Sequence, residues 1–126
     1  MNILNVREYI ETFLKIRTKD GTLMPLRLNQ PQDRMYQAVK SQWDAGKPVR
    51  IIVLKARQMG FSTLTEAIIF AITATRFYTD CMIVAHKDEA TANLFRMSLR
   101  YYENLPEPMK PMRKASNCLL YTSDAA

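Results

Sequence analysis

Between Val49 and Ala74 the chain runs from an apolar, β-branched segment through a short turn with one glycine into a second apolar segment of helical spacing. Val49 to Leu54 is nearly unbroken in large apolar residues, the pattern of a parallel strand covered on both faces. From Ser62 to Ala74, Leu64, Ile68, Ala71 and Ile72 fall on one helical face. A second strand and helix follow, without an internal sequence repeat. Met82 to Ala85 reads as a second short buried strand, and Asp88 to Glu103 as a second helix with Ala90, Leu94, Met97 and Tyr101 on one stripe. Strand, turn, helix, strand, helix predicts an α/β fold with right-handed crossovers and a parallel sheet flanked by helices.

The turn itself, Leu54-Lys55-Ala56-Arg57-Gln58-Met59-Gly60-Phe61-Ser62-Thr63, has the outline of a phosphate-binding loop. Such a loop, G-x-x-x-x-G-K-[ST], uses a glycine where backbone nears phosphate, a lysine for the β and γ phosphates, and a hydroxyl for magnesium. Gly60 takes the glycine position and Ser62, with Thr63 behind it, the hydroxyl position, but Phe61 stands where the lysine belongs. Phenylalanine cannot neutralise a triphosphate. The cations within the turn are Lys55 and Arg57, and Lys55 lies where the usual pattern has its first glycine. The plainer reading is an ordinary strand-to-helix turn in which Gly60 relieves strain and Ser62 caps the helix.

Lys55, Arg57-Gln58-Met59-Gly60 and Ser62-Thr63 together resemble the loop of the large terminase subunit of tailed phages, whose members carry Arg-Gln-x-Gly and, in lambda-like cases, a lysine at the first position. Pro25-Leu26-Arg27-Leu28-Asn29-Gln30-Pro31-Gln32 is similar to the segment in which terminases place an adenine-reading glutamine; Gln32 fits by position, with Gln30 second. The resemblance spans about Phe13 to Met112. It implies the front part of a RecA-like P-loop NTPase domain, with ATP and Mg2+ bound along Lys55, Ala56, Arg57, Gln58, Met59, Gly60, Phe61, Ser62 and Thr63. Lys55 takes the phosphate contact, Arg57 stabilises the transferring phosphoryl group, and Ser62 holds the metal. The activity implied is ATP-driven packaging of double-stranded DNA, by a homo-oligomeric ring on the portal protein with a small terminase subunit, in the host cytoplasm and transiently at the procapsid. The endonuclease domain of such proteins, the magnesium aspartate and the water-activating glutamate are expected beyond this chain, which alone is expected to be inactive. Two alternatives stay open: another helicase-like nucleic-acid motor, or a basic nucleic-acid-binding module with no nucleotide site.

The segment before the turn reads as three elements. Val6, Ile10 and Phe13-Leu14 share a face of a short amphipathic helix. Lys19-Asp20-Gly21 between β-compatible flanks predicts a hairpin within Ile16 to Leu28. Pro31 opens a helix that turns Met35, Tyr36, Val39 and Trp43 inward and stops at Gly46. The expected division is 1–48 for helix, hairpin and adenine-side helix, 49–117 for the start of the ATPase domain, and 118–126 for a tail. That tail, Cys118 to Ala126, resembles one reading frame of a transposon-derived sequencing adaptor; a short natural strand and disordered end is the alternative.

Charge and cysteine content narrow the classes further. A net charge of +6 fits a phosphate-bearing partner, although the 18 cationic residues are spread along the chain as on an ordinary solvated surface. Cys81, Cys118 and the lone His86 share no metal-ligand spacing, which argues against zinc and structural disulfides. No apolar stretch reaches the roughly 18 residues of a membrane span, so no membrane partner is expected. Asp88-Glu89, just past the second apolar run, is read as a helix start with Asp88 as N-cap rather than as a magnesium site, because His86-Lys87 intervenes and acidic residues favour a first helical turn.

Overall fold

The computed structural model describes residues 3–54, 60–76, 79–85 and 87–110. Its elements in order are helix α1 (Ile3–Phe13), strands β1 (Lys15–Arg17) and β2 (Leu23–Pro25), helices α2 (Gln30–Asp44), α3 (Phe61–Thr75) and α4 (Asp88–Glu103), and a 3-10 turn at Glu107–Met109. Helix α3 is the centre of the packing, touching α1, α2 and α4, while α4 also lies against β1 and α1 against β2.

Local sequence accounts for the helix ends. At the start of α2 the Asn29 side chain accepts from the backbone N–H of Gln32 (2.9 Å), and the Gln32 side chain accepts from the backbone N–H of Asn29 (3.0 Å). This reciprocal pair is a capping box, satisfying two donors that helix geometry leaves orphaned. At the other end Gly46 takes a left-handed conformation (φ 73°), its N–H reaches Trp43 O at 3.0 Å and the Lys47 N–H reaches Gln42 O at 3.1 Å. That is a Schellman stop. Helix α4 begins at Asp88 with Lys87 as the extended N-cap, so the expected capping role of Asp88 gives way to a place inside the first turn beside Glu89. There both carboxylates face the positive end of the helix dipole.

The predicted hairpin is present, with Lys15 opposite Pro25, Ile16 opposite Met24 and Arg17 opposite Leu23. Its connection is longer than a two-residue Asp-Gly turn. Thr18 and Thr22 close it through Thr18 N–H to Thr22 O (2.9 Å), with Gly21 N–H returning to Thr18 O (2.9 Å). Leu26 N–H donates to Leu14 O at 2.9 Å, which ties the end of α1 to the end of the hairpin. Both leucines are buried.

The core joins Val6, Tyr9 and Ile10 of α1, Tyr36 and Val39 of α2, Leu64, Ala67, Ile68 and Ala71 of α3, and Tyr101 of α4, closed by Leu14, Leu26 and Leu105. Each helical stripe read from the sequence supplies residues to it. A charged bridge fastens the exterior: Arg7 of α1 donates to Glu11 (2.6 Å) and to Asp33 in the first turn of α2 (2.5 Å).

Among the described residues the expected parallel sheet of a RecA-like domain is not formed. The described residues hold four helices and one two-stranded antiparallel hairpin. Residues 49–54 and 82–85, the two segments read as buried strands, carry no strand assignment. Ile52 is 92% exposed, Leu54 95% and Val84 80%. The physical reason is that a β-branched run reports a liking for extended backbone and apolar cover, and supplies neither. A parallel strand needs hydrogen-bonded neighbours and helices on both faces. Here α3 packs on α1, α2 and α4, and α4 on α3 and β1.

Candidate functional site

The N-terminus of α3 is where the segments carrying the resemblance meet. Gly60 is the N-cap, left-handed at φ 79° and ψ 16°, and it offers no side-chain cap. Its carbonyl accepts a hydrogen bond from Gln32 Nε2 at 2.8 Å, across 28 residues of sequence. It also accepts from the Leu64 N–H at 3.1 Å as the first helical bond of α3. A methyl group at position 60 would stand 2.5 Å from Gln32 Nε2 and 3.2 Å from Gln32 Cδ. Glycine is therefore required twice over, for its backbone angle and for the space.

Gln32 is a strut at this point. Only 4% of it is exposed, its Oε1 is held by the Asn29 N–H, and its Nε2 holds Gly60. A primary amide has two donors and two acceptor lone pairs, so one N–H and one lone pair stay uncommitted by these bonds. Gln30, two residues earlier at the start of α2, is exposed.

Of the other residues singled out from the sequence, Phe61 is half-buried at the first position of α3, Ser62 is exposed and Thr63 is half-buried. Lys55, Ala56, Arg57, Gln58 and Met59 lie outside the described residues, as do His86 and the tail from 111 onward. The glycine, the hydroxyls and the glutamine are thus brought to one helix end, and the cations of the turn have no described position. Among the described residues no group of three or more His, Cys, Asp or Glu side chains is placed to hold a metal ion.

Behind this helix end, α4 grips α3. The Tyr101 hydroxyl donates to the Thr63 carbonyl at 3.0 Å, and one turn further Ser98 Oγ donates to Glu66 Oε2 at 2.6 Å. Tyr101 is almost fully buried, with its ring edge on Phe70. Burial pushes its phenol well above the ordinary tyrosine range, and the neighbouring Glu66 charge adds to the rise. Tyr101→Phe keeps the ring and deletes the hydroxyl, leaving the second lone pair of Thr63 O without its donor. A loss of about 1 kcal/mol is expected in urea unfolding, with no change in far-ultraviolet circular dichroism.

Two residues here escaped sequence reading. Asn29 with Gln32 has the spacing of a capping box and is visible as a pattern. Glu66 is not: it lies among buried Leu64, Ala67 and Ile68 with 1% exposure, and no local signal marks a carboxyl as interior.

Compared with protein-family models, with characterised proteins and with solved structures, the chain matches none. No helix among the described residues is long and apolar enough to cross a membrane.

Proposed function

We propose that this chain is the N-terminal part of a viral terminase large subunit, an ATPase that couples hydrolysis to packaging of double-stranded DNA. The observation that carries the reading is the Gln32 to Gly60 hydrogen bond, 2.8 Å. It joins the two sequence segments of the resemblance at one helix N-terminus. A helix start with backbone N–H groups and the positive end of its dipole favours an anion.

In this reading Gly60 lets the main chain pass close to phosphate, and Lys55 supplies the charge that Phe61 cannot. Arg57 stabilises charge on the transferring phosphoryl group. The exposed Ser62 hydroxyl fits as one oxygen ligand of Mg2+, an ion that takes the rest of its octahedron from phosphate oxygens and water. ATP supplies the phosphoanhydride whose cleavage drives translocation. The uncommitted half of the Gln32 amide, or the exposed Gln30, reads the adenine edge. The working assembly is a homo-oligomeric ring on the portal protein, with a small terminase subunit, in the host cytoplasm.

The test is equilibrium binding of a non-hydrolysable ATP analogue with Mg2+, followed by calorimetry. Lys55→Ala is expected to weaken binding by about 1.5–3 kcal/mol, the size of a charge-assisted contact. No binding by the unaltered chain removes the nucleotide site from the account, and equal binding by the variant removes Lys55 from it.

A further inference from the structure

The contacts between α3 and α4 form an antiparallel pair of polar rungs, Thr63 with Tyr101 and Glu66 with Ser98. The second rung is chemically incomplete. Glu66 Oε2 accepts from Ser98, while Glu66 Oε1 is buried with no hydrogen-bond partner. That carboxyl borders an open pocket of about 220 Å³ lined by Val53, Phe61, Ser62, Thr65, Ile83 and Leu94, and a smaller one of about 80 Å³ reaching Thr91, Phe95 and Ser98. The walls are mainly apolar, so an ionised Glu66 there has one donor and no counter-charge.

We infer that Glu66 is a proton-operated latch: as a neutral acid it holds α4 against the first two turns of α3, and on ionising it draws water into the adjoining cavity and loosens that grip. The pocket shares Phe61 and Ser62 with the proposed nucleotide site, and the latch is read in the chain free of nucleotide.

Its surroundings leave the proton as the controlling ligand. Burial drives the Glu66 equilibrium toward the neutral form, opposed only by the Ser98 hydrogen bond. From α4 the titratable neighbour is Tyr101, whose phenol feels the Glu66 charge, and Arg100 acts in turn on Tyr101. Of the charged side chains of α1 and α2, Arg7 pairs with Glu11 and Asp33 and Lys40 with Asp44, while Glu8 and Arg34 are exposed. Among the described residues none of these offsets a charge on Glu66.

The sign follows from linkage. A carboxyl whose folded equilibrium lies above its ordinary value of 4.5 binds more protons in the folded than in the unfolded chain. Stability is then highest below that ordinary value, falls as pH rises through the raised folded value, and levels off above it.

Hydrogen exchange measures the latch directly. Protection factors, corrected for intrinsic exchange, are followed in α4 and in the first two turns of α3 as pH is raised from 4.5. The unaltered chain is expected to lose protection there by about tenfold for each unit by which folding raises the Glu66 equilibrium. Glu66→Gln, which keeps the shape and cannot ionise, is expected to give a flat profile. Parallel profiles for the two proteins, or a flat profile in the unaltered chain, overturn the latch. Should Glu66→Gln fail to fold, Ser98→Ala decides: losing the donor that favours the charged form must deepen the fall, and an unchanged profile sinks the proposal.

Discussion

Gly60→Ala is expected to destabilise the chain by about 2–5 kcal/mol, through two separable costs. An L-residue held at a left-handed φ of 79° loses about 1–2 kcal/mol relative to glycine. The added methyl also meets Gln32 Nε2 at 2.5 Å, so the glutamine must withdraw and leave a buried amide unpaired, at about 1–3 kcal/mol. Gly46 separates the two. It too is left-handed, at φ 73°, yet a methyl there meets nothing within 4 Å, so Gly46→Ala should show the conformational cost alone. Chemical denaturation of both variants checks this. Equal losses at the two positions mean that the strut from Gln32 contributes nothing.

The second large effect is a contrast between Leu64→Ala and Ile52→Ala. Leu64 is fully buried at the start of α3, where truncation removes apolar contact and leaves a cavity; about 2–5 kcal/mol is expected. Ile52 is 92% exposed, and its truncation should change stability by no more than about 0.5 kcal/mol. The same pair of variants discriminates between the helical fold and the sheet expected from sequence, since a strand covered on both faces would make Ile52 as costly to truncate as Leu64. Unfolding midpoints in urea, at constant slope, give the answer.

That contrast also shows what the sequence could and could not convey. Helices were legible because their information is local: Val6 and Ile10, Tyr36 and Val39, Leu64 and Ile68 repeat at helical spacing, and all are buried. Helix ends were legible for the same reason at Gly46, and the span of α4 from Asp88 to Glu103 agrees with its stripe. Burial of Ile52 and Val84 was not legible. A run of β-branched residues states what the backbone prefers, whereas its partners must come from distant sequence. The candidate site divides along the same line. Gln32 in a first turn followed from Pro31, while its bond to Gly60, 28 residues away, is a tertiary fact that no window contains. Glu66 was hidden because one carboxyl in an apolar helix ordinarily faces solvent, and here it does not.

The segment 50–54, exposed at Ile52, Val53 and Leu54, has a consequence for how the protein behaves as a material. With the preceding Val49 it forms a hexapeptide, Val49-Arg50-Ile51-Ile52-Val53-Leu54, that is rich in β-branched side chains, free of proline and glycine, and carries a single charge. Such stretches pair with copies of themselves into stacked, hydrogen-bonded ribbons when concentration allows. The exposed Ile52, Val53 and Leu54, with Arg50 as their lone charged gatekeeper, thus make self-association a matter separate from the depth of the energy well that the helices create.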